Sequence, residues 1–243
     1  MLHPDWIKTL NLDYLSCVEN KRLKKLLPRY RGQHLIQLGA QVLDCLTASP
    51  IPHKIIASTT PLIPNPHHHY LQSAYCDLPL ASDSVQLAIL PHILEFDQNP
   101  KMVLNEIWRV LADRGHLFIL SFNPYSSLGL WRLFSSNATV FPWQGHFYSP
   151  DKICQWIHAL EGEVKHIESF FFRPPLQNIH YFKQLEWMER ILPWIIPYTG
   201  NVYLLIAEKK SKHFKKVALN HRRRPIRINS RIYLPTSRQW HHD

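Results

Sequence analysis

The stretch "CDLPLASDSVQLAILPHILEFDQNPKMVLNEIWRVLADRGHLFILSFNP", residues 76–124, decides the fold. It contains two short apolar runs, "VQLAIL" (85–90) and "GHLFILSF" (115–122), which are typical of buried strands. Between them, Asn99 and Pro100 predict a helix N-cap and first helical position, and Gly115 lies just past the helix end. The apolar stripe of this helix is predicted at Met102, Val103, Ile107, Val110 and Leu111. A strand, a helix and a second strand in this order indicate a parallel pair.

The same alternation extends in both directions from this stretch. Further strands are predicted at 34–39, 53–59, 163–172 and 201–209, and further helices at 12–27 and 149–162, the last capped by Ser149. About 28 residues rich in Pro and Trp separate the last two strands without a clean crossover helix, which favours an antiparallel pair at the sheet edge. The predicted fold class is α/β, a Rossmann-like three-layer sandwich with a mostly parallel sheet.

Charge divides the chain into regions. The formal net charge of +10 arises entirely in residues 209–243, which hold 11 Lys and Arg and a single acid. We therefore predict an N-terminal helical segment (1–29), a globular domain (30–208) and a basic C-terminal tail (209–243). Basic runs with interleaved aromatic residues bind nucleic acid or an anionic membrane surface, and a solvated extension has the same composition.

Cysteine spacing and hydropathy indicate the compartment. Cys17, Cys45, Cys76 and Cys154 are dispersed without a CxxC pair, so neither a zinc site nor a disulfide framework is expected, and a reducing cytoplasm fits best. The apolar stretch at 191–207 is interrupted by Pro193, Pro197 and Gly200, so no integral membrane span is predicted. Three adjacent histidines at 67–69 point in different directions on a loop, and no metal site is predicted there.

Candidate site residues follow from the sheet. Ligands of open parallel sheets bind outside the carboxyl ends of the strands, near the point where strand order reverses. This rule selects Gly39 and Ala40, Ser58 and Thr59, and His92 at the ends of predicted strands, and Asp77 and Leu78 in the loop before the strand at 85–90.

The quoted stretch resembles the central part of class I S-adenosylmethionine-dependent methyltransferases of the type 11 group. The resemblance lies in a Leu-Pro pair before a short acidic turn, a strand, a helix ending in "RVL" and a Gly-led strand. The segments "QLG", "LPHILEF" and "FNPYSSLGLWRL" are similar to an uncharacterised proteobacterial methyltransferase-like family. The resemblance covers residues 30–208 and implies seven strands, the last one antiparallel, with S-adenosylmethionine as cofactor.

The resemblance also implies roles for the rim residues. Gly39 and Ala40 would border the methionine end of the cofactor, Ser58 or Thr59 the ribose, and Asp77 with Leu78 the adenine. His92 would face the sulfur and the substrate, where it could act as a general base or merely orient its loop. The chain departs from the family pattern in three places: Gln41 and Val42 replace small residues, no acid follows the second strand, and Ala74 replaces an acid near the adenine.

Two functions of different classes remain. The first is methyl transfer to a small-molecule acceptor. The acceptor is apolar or membrane-associated if an apolar wall is formed by Leu128, Leu130, Trp131, Leu133, Phe134 and residues 140–143. Core packing is the competing explanation of those residues. The second is a binding module that has kept the fold and lost the cofactor, with RNA bound through the tail. A nicotinamide-dependent oxidoreductase is disfavoured because neither GxGxxG nor an acid after the second strand is present. Asn123-Pro124 resembles an amino-methyltransferase motif but follows the wrong strand, and we treat it as coincidence.

Overall fold

A computed structural model describes residues 12–39, 43–62, 66–134, 144–174 and 184–211. Seven strands form a single sheet: β1 (His34–Leu38), β2 (His53–Ser58), β3 (His69–Gln72), β4 (Val85–Pro91), β5 (Leu111–Phe122), β6 (Gly162–Phe170) and β7 (Val202–Lys209). The helices are α1 (Leu12–Leu26), α2 (Pro100–Val110), α3 (Ser127–Phe134), α4 (Pro150–Ala159) and α5 (Met188–Ile195), with single 3-10 turns at Leu27–Arg29, Asp44–Ala48 and Leu185–Trp187.

The strand order is β3-β2-β1-β4-β5-β7-β6. β1 pairs in parallel with β2 and β4, β2 with β3, and β4 with β5, whereas β7 pairs antiparallel with both β5 and β6. Only the final strand therefore reverses direction within the described sheet. The predicted fold class, with its seven-stranded sheet and antiparallel last strand, is confirmed.

Both faces of the sheet are covered. Successive residues of the central strands alternate between two buried clusters, as with Leu87 and Ala88 of β4 or Leu204 and Leu205 of β7. α1 and the 44–48 turn pack over one face, and α2 and α4 pack over the other. A sheet buried on both faces requires continuous apolar strands, which explains why these runs lack polar alternation.

α2 differs from its predicted form in three ways. It ends at Val110, and β5 begins at once with Leu111, which pairs with Val85. Its buried face holds Val103, Leu104, Ile107, Trp108 and Val110, whereas Met102 is 54% exposed, so placing Met102 in the stripe was wrong. Asn99 occupies the N-cap position but its side chain makes no capping bond; the Asp97 carboxylate accepts the Asn99 N–H at 2.7 Å instead. In α4, by contrast, the Ser149 hydroxyl accepts the Lys152 N–H as predicted.

Lys209 closes the sheet at the amino ends of the parallel strands. Its ammonium group is buried and donates to the Asp83 carboxylate at 2.6 Å and to the carbonyls of Trp108 and Leu111. All three donor hydrogens of the lysine are thus used, which offsets the cost of burying its charge. Lys209, which the charge pattern assigned to the tail, is the last residue of β7.

Candidate functional site

The strand order reverses between β1 and β4. From β1 the chain moves outward through β2 and β3 to one edge, and then returns to β4 on the other side of β1. Such a switch point leaves a crevice outside the carboxyl ends of the two central strands, where ligands of open α/β sheets bind. Gly39 follows β1 at this point, and His92 with Ile93 follows β4.

Gly39 shapes the β1 side of the crevice. Its φ is +107°, a conformation that L side chains rarely adopt, and its N–H donates to the Ala57 carbonyl at 2.8 Å. A Cβ on Gly39 would lie 3.0 Å from the Ile93 Cδ1 atom. The bare backbone therefore lets the β1 and β4 loops approach one another, and a side chain here would be strained and crowded. Ala40, Gln41 and Val42 lie outside the described residues.

Hydroxyl groups line the rim after β2, where the sequence lacks an acid. Ser58 is buried, its Oγ lies 3.2 Å from Thr60 Oγ1, and it accepts the Thr60 N–H at 3.1 Å. Burial raises the pKa of the Tyr75 phenol, against hydrogen bonds to Thr59 and Ser58 that lower it, and the charge of Asp97 adds to the rise. Tyr75 thus joins Ser58 and Thr59 in a hydroxyl cluster, with the Asp97 carboxylate nearby.

Asp77 and Leu78 are held against α2. The Leu78 N–H donates to Glu106 Oε1 at 2.8 Å, and the Arg109 guanidinium donates to the carbonyls of Leu78 and Leu80. The Glu106 carboxylate also pairs with Arg109 at 2.7 Å, which lowers the pKa of the Glu106 carboxyl. Asp77 is exposed. The Leu78 N–H is therefore bonded to Glu106, whereas the charge of the exposed Asp77 carboxylate contributes to raising the pKa of Arg109.

His92 lies between two buried carboxylates. Its Nε2 is 2.7 Å from Glu19 Oε1 of α1, and its Nδ1 is 3.0 Å from Glu95 Oε1. Glu95 Oε1 also accepts the Phe122 N–H from the end of β5 at 2.8 Å, and the Phe122 ring packs on the imidazole at a centroid distance of 4.2 Å. The cluster therefore joins α1, the end of β4 and the end of β5.

The cluster keeps His92 charged. Burial alone would lower the pKa of His92, but the charges of Glu19 and Glu95 and their hydrogen bonds outweigh burial and raise it to about 10. At neutral pH the ring is an imidazolium that donates from both nitrogens. In this arrangement it has no lone pair with which to accept a proton from a substrate.

Two asparagines connect the end of β5 and the start of α3 to the residues that precede β7. The Asn123 amide donates to the carbonyls of Tyr198 and Gly200, and its Oδ1 accepts the Tyr125 N–H. Asn201 Oδ1 accepts from the Ser127 hydroxyl and the Leu128 N–H, at the start of α3. Asn123 thus serves as a backbone clamp in this structure, which agrees with treating its motif as coincidence.

The structure brings together Gly39, Ser58, Thr59 and His92 at adjacent strand ends, whereas Asp77 and Leu78 lie on a loop tied to α2. Sequence reasoning missed Glu19 and did not single out Tyr75. No pattern distinguishes Glu19 from a solvent-facing acid of α1, but Tyr75 directly follows Ala74 in the loop already selected. In the apolar segment 128–134, Leu128 is buried, whereas Leu130 and Trp131 are 56% and 52% exposed.

Comparison with known proteins agrees with this geometry. Residues 32–119 match the family model described as methyltransferase domain. Solved structures of S-adenosylmethionine-dependent methyltransferases share the fold: one from Archaeoglobus fulgidus (15% identity, TM-score 0.57, 80% of this chain and 94% of that one) and one from Mesorhizobium loti (12%, 0.55, 78% and 96%). The [4+2]-cyclase SpnF also aligns, at 12% identity and a TM-score of 0.53, over 78% of this chain and 80% of its own.

These observations define the fold. The chain has the class I S-adenosylmethionine-dependent methyltransferase fold, and S-adenosylmethionine is the cofactor that this class implies. A curated relative is the uncharacterized protein YafS of Escherichia coli, 28% identical over 193 residues that cover 79% of this chain and 74% of YafS. The open backbone at Gly39 and the hydroxyl cluster at Ser58, Thr59 and Tyr75 fit such a cofactor, with neutral groups where the family usually has a carboxylate. Among the described residues, no helix is long and apolar enough to cross a bilayer.

Proposed function

We propose that this protein is an active methyltransferase that uses S-adenosylmethionine to methylate a small-molecule acceptor with an apolar body. The observation that carries the proposal is the switch point itself: Gly39, at φ +107°, ends β1 directly beside the β4 loop. This is where the fold places ligands, and it lies within the matched residues 32–119.

The cofactor would be held by neutral groups. Gly39 and Ala40 would border its methionine end, Ser58 and Thr59 with Tyr75 its ribose, and Asp77 with Leu78 its adenine. S-adenosylmethionine would supply the methyl group of its sulfonium, which an acceptor nucleophile would attack in line while the thioether S-adenosylhomocysteine leaves. The protein then contributes mainly position and exclusion of water. Hydroxyls without charge bind a ribose less strongly than a carboxylate does, so we expect weaker binding than in relatives that have the acid.

His92 takes a positioning role in this proposal in place of the predicted role of general base. As an imidazolium it fixes Glu19 and Glu95 and thereby the ends of β4 and β5. The acceptor side would be walled by apolar side chains of α3, since Leu130 and Trp131 stand exposed beside this rim.

A second candidate function is a binding module that no longer uses the cofactor. The observation that favours it is Ser58, whose hydroxyl is already engaged by Thr60 in the turn after β2. The basic tail would then serve as its contact to RNA or another anionic partner; residues 212–243 lie outside the described part of the chain, and that role stays a prediction, as does the cytoplasmic location.

Isothermal titration with S-adenosylmethionine and S-adenosylhomocysteine separates the two functions. We expect saturable binding of both, weakened about fivefold in Tyr75→Phe, because one hydrogen bond near the ribose is lost. Tyr30→Phe is the matched control: Tyr30 packs edge-on against Phe118 and His116, and removing its hydroxyl should leave the affinity unchanged. Absence of heat with either ligand at high micromolar concentration would rule out the methyltransferase in favour of the binding module.

A further inference from the structure

α5 presents its apolar side chains outward. Trp187, Ile191, Trp194 and Ile195 follow helical spacing on one face, and they are 52%, 46%, 89% and 66% exposed. Ile196 and Tyr198 continue this surface just beyond the helix, at 43% and 81% exposure. A surface helix normally turns its apolar stripe to the core, so the orientation of α5 is the reverse of the usual one.

The outward orientation is built into the contacts of α5. Glu189 accepts the Phe172 N–H at 3.0 Å, and its carboxylate lies 3.7 Å from the buried Arg173 guanidinium. Met188 and Leu192 are partly buried on the same side. These contacts fix the inner face, and none of the residues of α5 is fully buried. The apolar face is therefore held toward the exterior of the described body.

A basic groove adjoins this face. It has a volume of about 490 Å³, and α1 and α5 contribute to its walls. Six basic and two acidic side chains line it: Lys21, Arg22, Lys25, Arg29, Arg173 and Arg190, with Glu168 and Glu189. Arg22 pairs with Glu168 at 3.3 Å and Arg173 lies beside Glu189, so each acidic side chain of the groove has an arginine partner.

The remaining cations of the groove are available for a ligand. Among the described residues, Lys21, Lys25, Arg29 and Arg190 form no ion pair, and all four are exposed. Arg190 lies at the margin of the apolar face of α5, so the exposed tryptophans and the unpaired cations are continuous. This surface places Trp and Ile next to Lys and Arg. Helices that lie in the interface of an anionic bilayer have the same composition.

We propose that the apolar face of α5 and the basic groove dock this protein onto the surface of an anionic phospholipid bilayer. Trp194 and Ile195 enter the boundary between headgroups and acyl chains, and the groove cations contact lipid phosphates. A nucleic acid would use the groove but leave the isoleucines of α5 in water. The attachment is peripheral, and it stands whether or not the chain transfers methyl groups.

Vesicle flotation of the full chain tests this docking. Wild-type protein should float with vesicles containing about one third phosphatidylglycerol and remain behind with pure phosphatidylcholine. Trp194→Ser with Ile195→Ser should lower the partition coefficient by on the order of tenfold or more. Met102→Ser removes another exposed apolar side chain, on α2, and should float as wild type does.

A second pair of variants tests the groove. Lys21→Gln with Lys25→Gln should weaken binding about fivefold per charge, whereas Lys101→Gln with Lys152→Gln changes net charge equally on α2 and α4 and should have no such effect. The basic tail is present in every variant, so differences among them report on α5 and the groove.

Three results would overturn the docking. The first is wild-type protein that does not float with anionic vesicles. The second is flotation that the α5 variant leaves unchanged, which would assign binding to the tail. The third is binding to another partner without any flotation. That partner would be RNA if the protein were retained on RNA, or a second copy of the chain if size-exclusion chromatography showed a dimer that the α5 variant abolishes.

Discussion

His92 shows how one side chain can serve structure where the sequence invites a catalytic interpretation. His92 directly follows β4 with a φ of +52°, and its ring bridges Glu19 and Glu95. A single imidazolium between two buried carboxylates leaves the cluster with one net negative charge, and Glu95 is further stabilised by the Phe122 N–H. Removal of His92 would leave two buried carboxylates uncompensated, whereas removal of either carboxylate would leave a neutral pair of the imidazolium and the other carboxylate.

We predict that His92 remains protonated well above neutral pH. Its pKa of about 10 in the folded state exceeds the value near 6.5 expected in the unfolded chain. The folded state therefore holds a proton that the unfolded state releases, and the resulting stabilisation is complete below about pH 6.5 and is lost as the pH rises toward 10. Histidine ring NMR, assigned with a His92→Asn variant, should show an imidazolium through pH 8.

His116 provides the internal contrast, because burial lowers its pKa. It should titrate below pH 6.5 in the same spectra. Glu19→Gln should bring the pKa of His92 down and lower the free energy of unfolding at pH 7, because one of the two charges that stabilise the imidazolium is removed. A His92 ring that titrates near 6.5 in the wild-type protein would contradict the buried cluster and would restore its candidacy as a base.

At the residue scale, the sequence predicts where the rim lies but not which distant side chains contact it. The positions of Gly39, Ser58 and His92 follow from strand ends alone. Glu19 is 73 residues from His92 in the chain and occupies a helix rich in charged residues, so nothing local marks it as buried. Tertiary pairing of distant charges carries no periodic signal.

At the element scale, the junction of β5, α3 and β7 depends on two amides. Asn123 satisfies two carbonyls that precede β7, and Asn201 satisfies the first turn of α3. Gly129 completes the junction, since a Cβ there would collide with the Pro124 carbonyl. The start of α3 and the approach to β7 are thereby fixed relative to each other.

We predict that Asn123→Asp lowers the free energy of unfolding by about 2–4 kcal/mol. A carboxylate cannot donate, so the Tyr198 and Gly200 carbonyls would face a buried negative charge in place of an amide. Urea unfolding measures the loss, and Asn105→Asp, on the exposed side of α2, is the control. Equal stability of the two variants would show that the clamp contributes little.

Elements with strong periodicity were predictable, and short ones were not. α4 and the strands β1, β4 and β5 follow from apolar runs and caps. β3, the four residues "HYLQ", was missed because it begins at the last of three adjacent histidines and has too few residues to show an alternation. In α3, Leu128 is buried whereas Leu130 and Trp131 are exposed, so core packing and an apolar wall each describe part of this helix.

At the scale of the whole molecule, α1 is part of the body. Leu15, Leu23 and Leu27 are buried in the same cluster as the inner residues of β1, β4 and β5. Glu19 and Tyr14 add polar contacts, to His92 and to Arg173. Residues 12–29 of the predicted N-terminal segment therefore cover one face of the sheet together with the 44–48 turn.

We predict that Leu23→Ala lowers the free energy of unfolding by about 3–5 kcal/mol, because Leu23 is completely buried and its removal leaves a cavity. Unfolding monitored by circular dichroism and by fluorescence should remain a single coincident transition. Lys24→Ala, at the next and exposed position, should change stability by less than about 0.5 kcal/mol. A Leu23→Ala protein as stable as Lys24→Ala would mean that α1 unfolds separately.

The direction of β7 determines how far the end of this strand lies from α5. β7 starts beside α5 and runs eight residues to Lys209, which is anchored at the far side of the sheet. At about 3.4 Å per residue, the strand carries the chain roughly 27 Å away from the membrane-facing helix. If one flat bilayer were to engage both α5 and the residues after Ser211, the chain would first have to double back by that distance, using about eight extended residues. A shortened tail would then be unable to bind the bilayer at the same time as α5, although it would still carry basic residues.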